Sequence, residues 1–456
     1  MSAVITLKAP GLFSPEYRAI TTGMVTLVSL IAFESLAVAT IMPELARALD
    51  GMRYYALGFS SVFAASVIGM ILAGQWSDRR GAALPLATGI AAFAAGLLIA
   101  GLAAGMGMFL LGRAVQGLGS GLVSVALYVV IGQIYPLPLR PRVFAALSAA
   151  WVIPSLVGPG ISALVLHYAG WRWVFLGVAL LALPASGLLR PALAIAPDPA
   201  RRPPAKCGTR PLVRAVGAAL CIALLPYASQ QAVALAPLAV AAVLIGIGTF
   251  AHQLLPAGTF SVQAGVPAVI ALRAMAAGAY FGTEVFVPLL LSQQRGLQPL
   301  WVGIAVTVGA VSYSAGSWFQ GVVASGAGDR TVRLRVGMGL IAGGIGLVAT
   351  AVSPDVPLGI GIAGWSAAGF GMGMVYPILA SAILELSPEN ERGTNSSGLQ
   401  LANALAIAGM IAIGGVLYTA VVAHSARLAF MSVFAVCAML PVFGAALAHR
   451  SAIRRN

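Results

Sequence analysis

Charged side chains are scarce in this sequence. Only 8% of the 456 residues are charged, Asp and Glu together number 12, and 60% of the residues are hydrophobic. An ordinary soluble domain has about 25% charged residues. This deficit excludes a soluble globular protein and predicts an all-α membrane protein embedded in a lipid bilayer.

Cysteine is also scarce, and several catalytic motifs are missing. Cys207, Cys221 and Cys437 lie far apart and form no C-x-x-C pattern, which argues against a disulfide framework or a thiolate metal site. The sequence contains no Walker loop and no G-x-S-x-G elbow, so ATP-driven transport and soluble-type catalysis lack the residues they need. We therefore expect no enzyme activity, no catalytic residues, no metal site and no cofactor.

Long apolar segments are abundant. Segments of about 17–25 residues recur along the chain, and each is long enough as a helix to cross about 30 Å of hydrocarbon. They are too long for the strands of a β-barrel and do not alternate polar with apolar residues. We predict fourteen transmembrane (TM) spans, at residues 19–45, 55–77, 83–104, 108–135, 143–168, 172–189, 212–228, 232–252, 268–292, 300–324, 334–352, 357–384, 396–421 and 427–448.

The basic residues are distributed unevenly over these spans. The net charge is +14. With both termini in the cytoplasm, and with arginines within the first residues of a span counted with the adjoining segment, 19 Lys and Arg residues are cytoplasmic, five are external and two, Arg113 and Arg273, lie within spans. This bias follows the positive-inside rule. We therefore expect no nucleic-acid partner and a multi-pass protein of the inner (plasma) cell membrane. The first 18 residues do not resemble a removed signal peptide, so the first span is expected to remain.

Two stretches of the chain match at a fixed offset. Residues 117–140 and 369–392 both contain G-x-G-x-G, a proline 19 residues after the first glycine and an arginine four residues later, at an offset of 252. Nearly the same offset pairs two acids with two others, Asp78 with Asp329 and Glu34 with Glu284. Chance glycine matches are easy in a chain with 54 glycines, but chance matches among 12 acids are not. We infer an internal repeat of six spans.

The repeat predicts the domain organisation. The offset between the repeats is longer than six spans require. The excess can hold a linker and two additional spans, which favours fourteen helices over twelve. We predict two six-helix bundles related by a pseudo-two-fold repeat, with two extra central helices. The predicted divisions are an N-terminal bundle at 1–190, a cytoplasmic linker at 191–211, the two additional helices at 212–254 and a C-terminal bundle at 255–456. Parallel six-helix repeats resemble the major facilitator fold, in which substrate binds near the midplane between the halves.

The segment GQWSDRRG, residues 74–81, joins the second and third spans. Its glycines permit a tight turn and close helix approach, and its charges can cap a helix or form ion pairs; an ordinary charged turn is the alternative. The pattern G-x-x-x-D-R-x-G resembles the signature loop of the major facilitator superfamily, although alanines follow where the family has basic residues. The resemblance implies a conformational gating role for Gly74, Asp78, Arg79 and Gly81.

The fourth span contains Arg113 and Gln116, one helical turn apart on one face. A cation inside a membrane helix costs about 2.5–3.5 kcal/mol on insertion scales, so it normally faces a partner or a wet cavity. An arginine bonded to neighbouring carbonyls is the alternative. The R-x-x-Q-G pattern is similar to the fourth-helix motif of proton-coupled facilitators, in which the arginine is implicated in proton transfer.

The fifth span contains Gly158-Pro159 within PSLVGPGISA. Proline removes a helix donor and glycine permits bending, so a kink or close packing is expected, and ordinary helix packing through glycine is the alternative. The dipeptide resembles the antiporter motif of exporters in part, because the flanking glycines are replaced. The resemblance implies a gating role for both residues.

Glu34 lies inside an apolar span. The segment ESLAVATIMP resembles the motif L-D-x-T-I-V-N-V-A-L-P of fourteen-helix drug:proton antiporters, with Glu in place of Asp. A carboxyl group in a low dielectric can exchange protons near neutral pH and attract a cation when ionised; a neutral acid hydrogen-bonded to another helix is the alternative. Glu284 has the same two interpretations, and Arg273 is a candidate partner for an acid on another helix.

Together these features predict a proton-coupled secondary active exporter, an antiporter of small hydrophobic or cationic compounds such as drugs. Its expected partners are a small-molecule substrate, protons and the lipid bilayer, and we expect a monomer. The predicted proton or substrate site consists of Glu34, Glu284, Arg113, Gln116 and Arg273. An exporter or flippase of an endogenous metabolite, siderophore or lipid is the alternative. A membrane-embedded enzyme or sensor is disfavoured, because so few ionisable residues lie within the spans.

Overall fold

The computed structural model of the protein describes residues 12–136, 139, 143, 146–147, 149–193, 209–228, 236–323, 329–388 and 392–451. Long helices dominate them, as expected for apolar segments that must satisfy every backbone hydrogen bond internally. They are α1 Arg18–Ala48, α2 Leu57–Arg80, α3 Ala83–Gly101, α4 Met106–Ile134, α5 Val152–Ala169, α6 Arg172–Leu188, α7 Thr209–Ala228, α8 Ala236–Leu254, α9 Val266–Gln294, α10 Pro299–Val323, α11 Arg330–Thr350, α12 Leu358–Leu386, α13 Arg392–Val422 and α14 Ala426–Leu447.

Ten of the described helices, α1–α4 and α9–α14, are long and apolar enough to cross a membrane. Helices α5 and α6 qualify only as a pair, which bends by 117° across Gly170 and Trp171, and α6 has 17 residues, about 25 Å of helix. The apolar part of α8 is shorter than a typical span. An all-helical membrane protein is therefore confirmed, whereas the count of fourteen spans is not. Most of the predicted linker and the start of the predicted fifth span lie outside the described residues.

The packing of α1–α6, here called the N-half, recurs in α9–α14, the C-half. Helix α4 packs against α2 and α3 as α12 packs against α10 and α11, and α1 packs against α5 and α6 as α9 packs against α13 and α14. The repeated glycine motif makes equivalent contacts in both halves. In the N-half, Gly117 and Gly121 lie against the backbone of α2 and Gly119 against that of α3. In the C-half, Gly369 and Gly373 lie against the backbone of α10 and Gly371 against that of α11. A Cβ atom at these positions would overlap the neighbouring backbone, so the motif brings three helices into backbone contact.

The two halves meet through α1 with α9, α2 with α13 and α5 with α10. Near the α1–α2 connection, the hydroxyl of Tyr55 donates a hydrogen bond of 2.7 Å to the carbonyl of Val285 in α9. The Tyr55 ring lies 6.2 Å from that of Phe286, and Gly415 of α13 lies against Ala56. The end of the bundle that carries the α1–α2 connection is thus held together by direct contacts between halves. Helices α7 and α8 pack on each other, and α7 also packs on α2 and α13.

Candidate functional site

A buried ion pair joins α1 to α4 in the N-half. The guanidinium of Arg113 donates through Nη1 to Oε1 of Glu34, and both residues are 3% exposed. The sequence pattern placed both residues inside spans, and the structure brings them together. Glu34 is therefore not a carboxyl group hydrogen-bonded only to neutral groups, because its partner is a cation.

Arg113 is held by two further acceptors. Its Nε donates to the carbonyl of Gly58 in α2 at 3.0 Å, and its Nη1 donates to Oε1 of Gln116 at 2.7 Å. The adjacent Gly112 lies against the backbone of α3 at Ala100, which fixes this part of α4 between its neighbours. The amide nitrogen of Gln116 is buried and has no hydrogen-bond partner among the described residues. Glu34, Arg113, Gln116 and the Gly58 carbonyl form one polar cluster, called here the N-half cluster.

The cluster is arranged so that one proton changes its charge balance. While Glu34 is ionised, its charge compensates that of Arg113 in a water-poor environment. Protonation of Glu34 would leave the guanidinium with two neutral acceptors, and an uncompensated buried charge costs several kcal/mol. Binding of a proton at Glu34 therefore favours any rearrangement of α1 and α4 that hydrates Arg113 or gives it another anion.

Glu284 of α9 corresponds to Glu34 in the repeat, but its surroundings in the C-half are different. It is half-buried, and among the described residues no cation lies within ion-pair distance of its carboxylate. Its close electrostatic neighbour is Tyr280, one turn earlier. The ring of Tyr280 stacks on Trp365 of α12 at 4.8 Å with an interplanar angle of 7°. Glu284 thus lies beside an aromatic pair rather than beside an arginine.

Arg273, which the sequence suggested as a partner for an acid on another helix, contacts Tyr376 of α12 instead. Its Nη1 donates to the Tyr376 carbonyl at 2.9 Å, and its guanidinium carbon lies 3.0 Å from the centre of the Tyr376 ring. Arg273 is 2% exposed, and in the part of the chain that the structure describes its Nε has no hydrogen-bond partner. Within the described residues it has no carboxylate partner.

Trp365 is a residue that the sequence reasoning missed. The offset of 252 that relates the glycine motifs carries Arg113 onto Trp365. Trp365 is buried, and its indole nitrogen lies against Gly309 of α10 and has no acceptor within the described residues. Gly309 corresponds within one residue to Gly58, so the two side chains occupy equivalent positions. Extending the repeat to Arg113 would have revealed this substitution.

The predicted signature loop is mostly the end of α2. Gly81 ends the helix with a φ of 79°, a left-handed conformation that favours glycine. Gly74 lies inside α2, and among the described residues no atom lies within 4 Å of where its Cβ atom would be, so a close helix approach at Gly74 stays a prediction. Arg79 is exposed. The side chain of Asp78 lies outside what the structure describes, so its expected contact with the start of α13 stays a prediction.

Gly158 and Pro159 lie in α5 where it passes between the two halves. A Cβ atom at Gly158 would touch Phe33 of α1 at an ordinary 3.5 Å. The carbonyl of Pro159 faces Gly303 of α10 so closely that a Cβ atom there would lie 2.8 Å from it. The dipeptide is therefore a junction between the helix that carries Glu34 and a helix of the C-half.

Comparison with known proteins identifies a family over most of the chain. Residues 23–409 match the family model described as Major Facilitator Superfamily. The multidrug transporter protein MdtP of Bacillus subtilis is 24% identical over 400 residues, covering 84% of this chain and 72% of MdtP. A probable multidrug-efflux transporter of Mycobacterium tuberculosis is 28% identical over 375 residues, covering 77% of each chain.

Other relatives match over a shorter region. The multidrug efflux pump SdrM of Staphylococcus aureus is 26% identical over 158 residues, which is 33% of this chain and 35% of SdrM. The chain covers between 24% and 35% of the length of the first curated relatives it matches.

Solved structures of transporters resemble this one along nearly its whole length. A D-xylose-proton symporter superimposes with a TM-score of 0.69 at 15% identity, covering 94% of this chain and 96% of that one. A POT family transporter crystallised with 5-aminolevulinic acid gives a TM-score of 0.68 at 15% identity, covering 95% and 96%. At such low identity the likeness shows the fold alone.

Proposed function

The chain belongs to the Major Facilitator Superfamily, and from that premise we propose that it is a proton-coupled exporter of small hydrophobic or cationic compounds. Relatives named as multidrug transporters over most of the chain support export. The buried pair of Glu34 and Arg113 supports proton coupling, and it is the single observation that carries the proposal. A proton gradient supplies about 1.4 kcal/mol per proton per pH unit, and a membrane potential of 100 mV about 2.3 kcal/mol per net charge.

In the proposed mechanism Glu34 is the group that exchanges the proton. When ionised it is compensated by Arg113 or, in competition with Arg113, by a cationic part of the substrate. When it is protonated from outside, it releases that cation. Because one carboxylate serves proton and substrate in turn, the two fluxes are linked. Gln116 and the Gly58 carbonyl hold Arg113 in the state without its anion.

The remaining sequence-predicted residues are assigned to movement between the halves. Asp78 and Arg79 at the end of α2, with the helix-ending Gly81, would steady the state closed to the cytoplasm. Gly158 and Pro159 would let α5 bend between α1 and α10. The contacts of Gly158 with α1 and of Pro159 with α10 support the second role. Gly74 would act through helix flexibility, since among the described residues no atom lies within 4 Å of where its Cβ atom would be.

We also propose the arrangement of two six-helix bundles with α7 and α8 as two additional spans, both termini being cytoplasmic. The recurrence of one packing pattern in α1–α6 and α9–α14 supports it. Residues 229–235, which would form the external α7–α8 connection, lie outside the described residues. In a background without native cysteines, Gln230→Cys should react with an impermeant thiol reagent added outside and His449→Cys only from inside. Labelling of Gln230→Cys from the cytoplasmic side alone would contradict fourteen spans.

Proton coupling is tested in vesicles that contain the purified protein. Ethidium, a cationic probe, should cause proton movement across the membrane with the wild type and none with Glu34→Gln, at every pH measured between about 6 and 8. Glu44→Gln is the matched control: it lies on the same helix and pairs with Arg47, but that pair is exposed, so coupling should persist. Undiminished coupling in Glu34→Gln would show that Glu34 is structural.

A further inference from the structure

Arg273 is a buried cation whose charge no described residue compensates. It is 2% exposed, it contacts the carbonyl and the ring of Tyr376, and among the described residues its Nε has no acceptor. A carbonyl and an aromatic face satisfy part of a guanidinium but contribute no negative charge. A cation of this kind inside a membrane protein is normally placed to meet an anion.

Tyrosines from both halves surround this guanidinium. Tyr313 of α10 and Tyr128 of α4 both interact electrostatically with Arg273 and with Tyr376, and the rings of Tyr313 and Tyr376 lie 6.1 Å apart. Arg273, Tyr313 and Tyr376 belong to the C-half, whereas Tyr128 reaches them from the N-half. The group therefore lies between the halves, where the transport path of the fold runs.

The position of Tyr128 indicates from which end of the bundle a ligand can reach Arg273 and the tyrosines near it. Tyr128 is 45% exposed and interacts electrostatically with the buried Arg273, so open space begins beside one member of this group. Tyr128 is about two turns from the α2–α3 end of α4, and Arg273 is about two turns from the same end of α9. The opposite end of the bundle is held closed by Tyr55 and Val285. A ligand would thus enter from the α2–α3 end, which the distribution of charge assigns to the cytoplasm.

The chemistry of the group selects one class of ligand group. A guanidinium with an unused N–H, beside phenol hydroxyls that can donate, matches a carboxylate or another oxyanion. Aromatic rings beside it favour a ligand that also has a flat apolar body. We propose that Arg273, Tyr128, Tyr313 and Tyr376 form a binding subsite for an anionic group, preferably a carboxylate, on an aromatic substrate.

This subsite refines the proposed exporter function and rests on it. Arg273, Tyr280 and Glu284 follow each other at spacings of seven and four residues, so all three lie on one face of α9. A substrate whose carboxylate binds Arg273 can direct a cationic part toward Glu284. The preferred substrates are accordingly zwitterionic aromatic compounds, which should bind more tightly than simple cations such as ethidium.

The test uses two dyes that differ by this one group. Rhodamine 110 carries a free carboxylate on a cationic ring system, and rhodamine 123 is its methyl ester. Binding is measured by fluorescence anisotropy with the full-length protein in detergent. The wild type should bind the acid about tenfold more tightly than the ester, the effect of one charge-assisted hydrogen bond, and Arg273→Gln should lose that preference. Tyr128→Phe should reduce it about threefold.

Two control variants share the chemistry of the substitutions but lie on the surface. Arg427→Gln at the start of α14 and Tyr168→Phe at the end of α5 are both exposed and should keep the preference. Equal affinity of the wild type for the two dyes, no binding of either, or an unchanged preference in Arg273→Gln would overturn the subsite. If Arg273→Gln does not fold, the preference measured with Tyr128→Phe tests the subsite. That variant keeps the aromatic ring and changes a residue of the N-half, so it leaves the packing of Arg273 in the C-half unchanged.

Binding in detergent requires no proton gradient, so this experiment separates the two proposals. Loss of the acid preference in Arg273→Gln with normal proton coupling by ethidium supports the subsite and leaves the exporter intact. A preserved preference in the wild type without any proton movement in vesicles would contradict the exporter alone.

Discussion

In the N-half, Arg113 of α4 pairs with Glu34 of α1, whereas in the C-half the equivalent position of α12 holds Trp365 and Glu284 has no cation partner among the described residues. The surrounding helices pack in the same way in both halves. Arg113 donates to the Gly58 carbonyl, and Trp365 lies against the equivalent Gly309. Equivalent positions between the helices therefore hold a cation in the N-half and an indole in the C-half.

The difference shows how a duplicated bundle can divide its tasks. A carboxylate facing a guanidinium is coupled to it, so a proton at Glu34 changes the energy of α1 against α4. Among the described residues Glu284 has no such partner, so a proton there changes no ion pair that the structure describes. The C-half instead has its cation, Arg273, about three turns from Glu284 on the same helix face, where it is available to a ligand. We therefore propose that proton coupling depends on the N-half and that the C-half adds recognition of the anionic group of the substrate.

The largest expected effect comes from removing the two acids one at a time. Glu34→Gln leaves Arg113 buried without an anion, which should lower the free energy of unfolding by up to about 3–5 kcal/mol and abolish gradient-driven export. Glu284→Gln removes no partner from any described cation, so its effects on stability and export should be smaller. Thermal unfolding in detergent and dye export from vesicles measure the two effects.

A double variant separates stability from function in this comparison. Glu34→Gln with Arg113→Gln leaves no buried charge in the N-half cluster, so most of the lost stability should return. Export should not return, because no carboxylate remains to exchange a proton. If Glu34→Gln and Glu284→Gln lost equal amounts of stability and of export, the distinction between the halves would be removed.

A smaller effect is expected when the N-half residue is placed in the C-half. Trp365→Arg loses the stacking on Tyr280, worth about 0.5–1.5 kcal/mol beyond the buried area, but gains an acid nearby in Glu284. The variant should therefore be more stable with Glu284 than with Glu284→Gln, by a coupling of at least about 0.5 kcal/mol in a double-mutant cycle. Zero coupling would mean that the two positions do not face each other.

The sequence predicted the helices well because their signal is length and apolarity. The predicted spans and the observed helices agree within a few residues for most of the chain, for example 268–292 against Val266–Gln294. The short spans near the centre of the sequence are predicted less well, because apolar length alone does not distinguish a membrane span from a shorter helix.

The candidate site was only partly predictable, since the pairing of side chains depends on the rotation and tilt of each helix. The motifs identified Glu34 and Arg113 separately, but their contact spans 79 positions and follows from glycine contacts that bring α4 against its neighbours. The sequence makes Arg273 only a candidate partner for an acid, and among the described residues it contacts Tyr376. No short motif encodes that contact, because the Tyr376 carbonyl carries no sequence signal.

The two Asp residues related by the repeat provide a third comparison of the halves. Asp329 caps α11, accepting a hydrogen bond of 2.9 Å from the amide of Thr331, whereas Asp78 lies in the last turn of α2. Asp329→Ala should therefore lower stability by about 1 kcal/mol and change the export rate little. Asp78→Asn should slow export without affecting membrane insertion. Wild-type turnover in Asp78→Asn would contradict its gating role.

The smallest expected effect concerns the contact that closes the α1–α2 end. The hydroxyl of Tyr55 donates across the halves to Val285, while that of Tyr418 donates within the C-half to Gln293 at 2.5 Å. Each substitution by Phe removes one hydrogen bond, worth about 0.5–1.5 kcal/mol, and keeps the ring.

These two tyrosine variants should differ in the property they change. Tyr55→Phe should shift the population toward the state open at the α1–α2 end by about two- to tenfold, because the lost bond exists only while the halves touch there. Tyr418→Phe should lower thermal stability without shifting that population, since its bond lies inside one half and moves with it. Distances between spin labels on the α1–α2 and α9–α10 connections measure the population. Equal shifts in both variants would mean that the contact between the halves has no special part in closing this end.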